Sequence, residues 1–332
     1  MNFLRRSRSI IFGLLSLSLV LLSSPSGANS NGPNFGLPTG VAASNGRLWI
    51  ANFKGGVTEV SASSGVVIRK IPNRGNLIDP VAIVAQGAFV WVASYAMSSV
   101  TEINANSGAV LRVATQGISG PTALAISGNR LWVDNYGNNS LTELNLATGS
   151  PIMELHSASY GFNQSLNIAV GGGKVWVAND NGNSVTEIQA SSGRLVELLN
   201  SSSDRLAEPY SLAFANGYLF VTNSVPASIS VINTASDSLV RQIAIPPSTS
   251  NNANIPMAII VDRGKVWVAN GFGNSVIAFN ESDGSVAFNF EQSFDEARSI
   301  AASNGFIWVA SYANSTLTQF NETNGLEEQV VK

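Results

Sequence analysis

Few residues in this chain have the chemistry for catalysis. His156 is the one histidine, and so the one side chain whose ordinary pKa suits proton transfer near neutral pH. No cysteine occurs, which excludes thiolate nucleophiles, disulfides, zinc–thiolate sites and a lipid-anchored cysteine. Asp134 and Asn167 stand out as oxygen donors, the first as an acid where related segments carry alanine. Two donors fall short of the about six oxygens a hard cation gathers, so no metal or cofactor is assigned and a divalent cation is only an alternative. The remaining chemistry is recognition. Phe53, Tyr95, Tyr136, Tyr210, Phe272 and Tyr312, with Arg298, supply rings and a cation suited to holding a peptide or a sugar. No serine nucleophile elbow, phosphate loop, metalloprotease helix or dinucleotide fingerprint is present. The run Gly171-Gly172-Gly173 reads as a hairpin turn, because no helix follows it.

These residues must be positioned by a repeat. All six tryptophans fall in one motif: RLWIAN at Trp49, FVWVAS at Trp91, RLWVDN at Trp132, KVWVAN at Trp176 and at Trp267, and FIWVAS at Trp308. A seventh copy, YLFVTN, places Phe220 in the same slot. Successive copies are 42, 41, 44, 44, 47 and 41 residues apart. Around each, a short apolar strand precedes a turn, often Asn-Gly, whose residues tolerate positive φ. The tryptophan strand follows, then a loop, a third strand such as SVTEI, a glycine turn and a fourth strand.

The tryptophan strand is apolar on both faces, as in Val266-Trp267-Val268-Ala269. A sheet with one wet face would alternate instead. Copies of such a sheet cover one another when packed radially, and that arrangement protects the edges. The first strand suits a narrow centre, with Ala42, Ala125, Ala169, Ala213 and Ala301 in one register and Val84 and Ile260 as exceptions. The expectation is an all-β seven-bladed propeller with four antiparallel strands per blade. Its repeats run over 38–79, 80–120, 121–164, 165–208, 209–255, 256–296 and 297–332, in phase with the blades. The tryptophans are read as blade-to-blade packing.

That architecture gathers the loops after the tryptophan strands and the tops of the first strands on one face. Phe53, Tyr95, Tyr136, Asp180, Phe272 and Tyr312 fall on the loops. Thr39, Val81, Thr122, Leu166, Tyr210, Met257 and Arg298 share one position on the first strands. That position varies while its neighbours repeat, and a position freed from the repeat can carry a site. The candidate ligand face is therefore Phe53, Tyr95, Asp134, Tyr136, Asn167, Tyr210, Phe272, Arg298 and Tyr312. Two recurrent features read as structural. The Asn/Ser residue ending each second strand is expected to cap its own turn. The Glu of the Thr-Glu pairs (Glu59, Glu102, Glu143, Glu187) is expected to be a solvated edge charge.

The first 28 residues differ from the rest. Arg5, Arg6 and Arg8 precede an apolar run over 10–22 and a small polar stretch ending near Ala28, the order of a secretory signal peptide. Residues 29–37 form an N-terminal extension. Removing three of the 18 basic residues and no acid takes the net charge from −3 to −6. A mildly acidic surface gives no pull on nucleic acid or anionic lipid. The expected product is a secreted or periplasmic monomer, without stable membrane insertion once the signal is removed.

The Pro-x-small-apolar-Ala strand starts, with the V-W-V-A-N and N-S-V-T-E-I strands, resemble the YVTN, NHL and virginiamycin B lyase-like group of propellers over about residues 37–332. The resemblance implies a seven-bladed fold. The lyase branch implies elimination from a cyclic peptide by a His base near a magnesium ion, and the related lactonase propellers imply a divalent cation near the axis. This chain departs from the lyase pattern. His156 lies at the end of a fourth, outermost strand in MELHS, and a base must reach the proton it takes. The expected function is a binding module for a peptide, glycan or protein partner, with a lyase- or lactonase-type enzyme as the alternative.

Overall fold

In the computed structural model, residues 34–156, 158–248, 254–291 and 294–332 are described. The signal peptide expected over 1–28 lies outside them, as do residues 29–33 of the extension. Seven separate four-stranded sheets make up residues 34–332, each built from consecutive antiparallel strands. In the first blade these are β1 (Pro38–Ser44), β2 (Arg47–Asn52), β3 (Gly56–Ser61) and β4 (Val67–Ile71). The first strands of the seven blades line up around the axis. The ring closes where β1 meets the first strand of the last blade, Ala297–Ser303.

Blades and repeats are in phase, so no strand crosses the seam. Phe35 does the sealing. It is 1% exposed and packs with Trp308, Ala310 and Leu317 of the last blade and with Leu48 and Ile50 of the first. Asn34 Nδ2 donates to the carbonyl of Lys332 at 2.7 Å, tying the two ends together.

Every tryptophan is fully buried and lies against the next blade. Trp49 packs on Ile83, Val90 and Val92, and Trp132 on Val175 and Val177. Phe220 keeps the pattern against Val266 and Val268. Two-sided apolarity thus has its expected cause: one face of the strand meets the following blade and the other the preceding one.

The Thr-Glu pairs correct an expectation. Glu59, Glu102, Glu143 and Glu187 are 0% exposed, not solvated. They sit on third strands, directly opposite tryptophans, as in the pairs Trp49–Glu59 and Trp132–Glu143. A third strand is interior to its sheet, and the next blade covers its face. Charge at that depth needs a partner, and each Glu has one. Arg47, Arg130 and Lys174, the first residues of their second strands, pair with Glu59, Glu143 and Glu187. Arg69 and Arg112 reach Glu59 and Glu102 from the outer strands, at 2.6 and 2.5 Å. Trp176 Nε1 also donates to Glu187 at 2.9 Å. Burial pushes the carboxyls of Glu102 and Glu187 above their usual range, against the pull of Arg112 and Lys174.

The Thr of each pair points to the opposite face of the strand. Thr58, Thr186 and its counterpart Ser230 donate to the carbonyls of Asn34, Tyr160 and Arg205, in the segments leading into their blades. The Asn at the end of the second strand does more than cap its own turn. Asn135 accepts from the amide of Ser119 at 3.0 Å and donates to Ser140 and Thr142 of the third strand. Asn52, Asn179 and Asn223 repeat this clamp between connection and sheet.

Candidate functional site

A β-bulge falls at the same place in all seven first strands. Each ladder skips the second residue of the strand. Pro38 pairs with Asn52 and Gly40 with Ala51, leaving out Thr39. The others left out are Val81, Thr122, Leu166, Met257 and Arg298, with Tyr210 and Ser211 together in the fifth blade. A bulge frees one residue from the ladder and re-aims its side chain. The bulges therefore ring the entrance to the centre with the most variable residues of the repeat.

The connections beside this ring are fixed by a second, interblade clip. The residue before each first strand takes the left-handed conformation in six blades: Leu37, Asp79, Gly120, Gln164, Glu208 and Glu296. Its amide is accepted by the loop side chain of the preceding blade in five of them. Asn139 holds Gln164 at 2.8 Å, Asn183 holds Glu208 at 2.8 Å and Asn274 holds Glu296 at 3.0 Å; Ser98 holds Gly120, and Ser315 holds Leu37 across the seam. The sequence signal for this clip is the recurring Asn-Ser at the start of the third strand, at Asn139-Ser140, Asn183-Ser184 and Asn274-Ser275. At Gly120 the absent side chain matters, since a Cβ there would come within 3.1 Å of the Tyr95 ring.

On this frame the face divides into two parts. One belongs to the second to fourth blades. The rings of Tyr95 and Tyr136 lie 6.3 Å apart at 54°. Burial raises the Tyr136 phenol, and Tyr95 and Asp180 push it further the same way. The other part belongs to the last blade. The guanidinium of Arg298 lies flat on Tyr312, 3.5 Å from the ring centre, and its Nη2 donates to Glu296 at 2.9 Å. The Arg298 side chain is only 8% exposed. Tyr210 bridges the parts: burial raises its phenol, Arg298 opposes this, and Asp180 and Glu296 add to it. Tyr312 is raised by burial, against Arg298 and with Glu296 and Asp79. These phenols stay protonated near neutral pH and serve as hydrogen-bond donors.

Other predicted residues stand differently. Phe53 and Phe272 are partly buried on their loops, outside the Tyr95–Tyr136 and Arg298–Tyr312 contacts. Asp134 is 0% exposed and sits between blades. Thr122 Oγ1 donates to it at 2.8 Å, Ser165 donates to its other oxygen, and burial pushes its carboxyl up to about 7. Asn167 Oδ1 accepts the amide of Leu212 on the next blade at 3.1 Å. Asp134 and Asn167 thus each use an oxygen in joining their blade to the next. Among the described residues no three His, Asp or Glu side chains converge, so the donors present do not fit the divalent cation that the lyase and lactonase resemblance implies. His156 is exposed just after the outer strand of the third blade, Pro151–Leu155.

What the face offers is a set of neutral phenols between an acid and a stacked guanidinium. It can bind and orient a ligand.

The fold recurs in solved structures. The propeller resembles a Kuenenia stuttgartiensis hydrazine synthase chain (15% identity, TM-score 0.74, 89% of this chain and 98% of that one). It resembles a streptogramin B lyase (17%, 0.74, 87% and 94%). It also resembles a catalytically inactive virginiamycin B lyase from Staphylococcus aureus with quinupristin (16%, 0.72, 88% and 97%). At these identities the likeness shows the fold alone. None of the curated protein sequences matches the chain. A family profile does match, over residues 96–329. By that match, spanning most of the propeller, the chain belongs to the PQQ_2 family, described as outer membrane protein assembly factor BamB.

Proposed function

We propose that this chain is an extracytoplasmic binding module that takes a polypeptide ligand at the bulge-ringed entrance of its propeller. The observation that carries the reading is Arg298, almost fully buried beside the entrance and held flat on Tyr312. A folding role alone does not call for a cation there, because the same position is Val81, Leu166 or Met257 in other blades. The family description supports a polypeptide ligand and a place outside the cytoplasm. The basic-then-apolar N-terminus supports export. No helix among the described residues is long and apolar enough to cross a membrane.

The alternative is an elimination or lactone-opening enzyme. It needs a base within reach of the bound substrate, and the one imidazole lies on the outer rim.

The test is a photo-reactive residue placed at Val81 in the bulge ring, or at Ile152, 47% exposed on an outer strand. In cells exporting the chain, adducts to polypeptide are expected from position 81 and not from position 152. Equal adducts from both, or none from either, would refute the reading.

A further inference from the structure

We infer that Arg298 anchors a carboxylate group of the ligand. The inference rests on the binding reading above and names the chemistry of the group recognised.

A guanidinium carries five N–H donors in a planar fork and no acceptor. Arg298 gives Nη2 to Glu296 at 2.9 Å. Its Nε is buried and has no hydrogen-bond partner among the described residues. An unpartnered donor on a charged, buried group is costly, and such groups are rare enough in folded proteins to need a reason. A donor kept for a ligand is one such reason.

The orientation supports it. Tyr312 lies under the guanidinium plane at 3.5 Å, so that face of the group is occupied and the donors point outward along its edges. Stacking fixes the plane before a ligand arrives, and a fixed fork loses little freedom on taking a planar carboxylate through two parallel bonds. Nε and a neighbouring Nη form one such edge. Around it, Tyr210 and Tyr312 keep their phenol protons, as their raised titration implies. Hydroxyl donors beside a guanidinium suit an anion.

The other blades sharpen the contrast. At the same bulge, Thr39 donates to the carbonyl of Pro80 at 2.8 Å, and Thr122 to that of Ser165 at 3.4 Å, each on the next blade. Those side chains are used up in joining blades. Among the described residues Arg298 joins none: its hydrogen bond goes two residues back along its own chain, to Glu296. Glu296 then neutralises the guanidinium in the free state and competes with an incoming carboxylate for it.

A carboxylate can come from a peptide's C-terminus or from an Asp or Glu side chain, and one experiment separates the sources. The full chain is passed over three immobilised sets of random hexapeptides, all attached by their N-termini. The first has free C-terminal acids and no Asp or Glu. The second is C-terminally amidated and otherwise the same. The third is amidated with one internal Asp or Glu. The chain is expected to be retained about tenfold more by the first or the third set than by the second, as loss of a charge-assisted pair would give. The set retained names the source. Arg298→Gln should abolish the preference. Arg298→Lys, which keeps the charge without the fork, should weaken it, and guards against misfolding of the first variant, as checked by melting. Glu296→Gln should strengthen the preference by removing the competitor. Equal retention by all three sets, lost in Tyr95→Ala, would overturn the carboxylate anchor and leave the binding face standing. No retention by any set would overturn both.

Discussion

The third-strand residue opposite each Trp or Phe of the second strand and the bulged residue at the top of each first strand both recur once per blade, yet they behave in opposite ways. The lower slot is filled by Glu59, Glu102, Glu143 and Glu187 in the first four blades, and by Val231, Ala278 and Gln319 in the last three. The charged fillings and the small one are compensated locally. The acids have Arg or Lys partners, and where Ala278 stands, Phe288 stacks on Trp267 with ring centres 5.9 Å apart. The upper slot takes Thr, Val, Leu, Tyr, Met or Arg with no such rule. The lower slot is closed on both faces by neighbouring blades, so any residue there must be satisfied within the protein. The bulge frees the upper slot from the ladder, so its side chain is not held to one role: Leu166 and Met257 are buried, Thr39 bonds to the next blade and Arg298 covers Tyr312. The comparison teaches that regularity marks packing and irregularity marks the place open to selection for a ligand.

The first way to break this contrast is Trp132→Ala, which removes the largest buried side chain of a blade contact. A loss of about 3–5 kcal/mol in denaturant unfolding is expected. A loss of that size from Tyr312→Ala would erase the distinction between the slots.

Asp134 shares features of both slots, being near the bulge ring yet fully buried. Its carboxyl is pushed up to about 7, first by burial, with the Ser165 and Thr122 hydrogen bonds opposing. An acid whose folded pKa lies above its unfolded value favours folding when protonated. Its contribution is whole below about pH 4 and is lost as pH rises through 7. Asp134→Asn should therefore match the parent near pH 4 and be more stable at pH 8, by about 2–4 kcal/mol. Glu322, pushed up to about 7 by burial and by its contact with Asp262, titrates in the same window, so the readout is the difference between variant and parent across pH. A pH-independent difference would refute the assignment.

Glu143→Gln tests whether the lower slot is structural. Arg130, 38% exposed, can turn to water when its partner goes, so the cost should be about 1–2 kcal/mol by thermal melting, below the range for a pair buried on both sides. No change at all would return these acids to the class of surface charges.

The smallest effect on folding is expected at the entrance. Tyr95→Ala and Tyr136→Ala should change stability by about 0.5 kcal/mol or less while weakening ligand retention. A stability loss comparable to that of Glu143→Gln would mean the ring pair is part of the packing.

Much of this was legible in the residues. Trp49 through Trp308, at their spacing, implied seven blades and their mutual packing, because two-sided apolarity has few solutions. The position of His156 was readable from MELHS alone. Glu143 was misread because Thr-Glu alternation looks like a wet strand until the covering blade is known. Asn167 and Asp134 looked like free donors, and only the neighbouring blade shows Leu212 and Ser165 using them. The pairing of Arg298 with Tyr312 joins a first strand to a loop some 14 positions later through a bulge, and no periodicity announces a bulge.

The chain's own order of residues determined what each blade buries, since burial follows from local pattern and repeat length. The tertiary structure decided which polar atoms remain for a ligand. That outcome depends on partners contributed by the adjacent blade, about 40 residues away, and hydrogen-bond satisfaction is settled only when the ring closes.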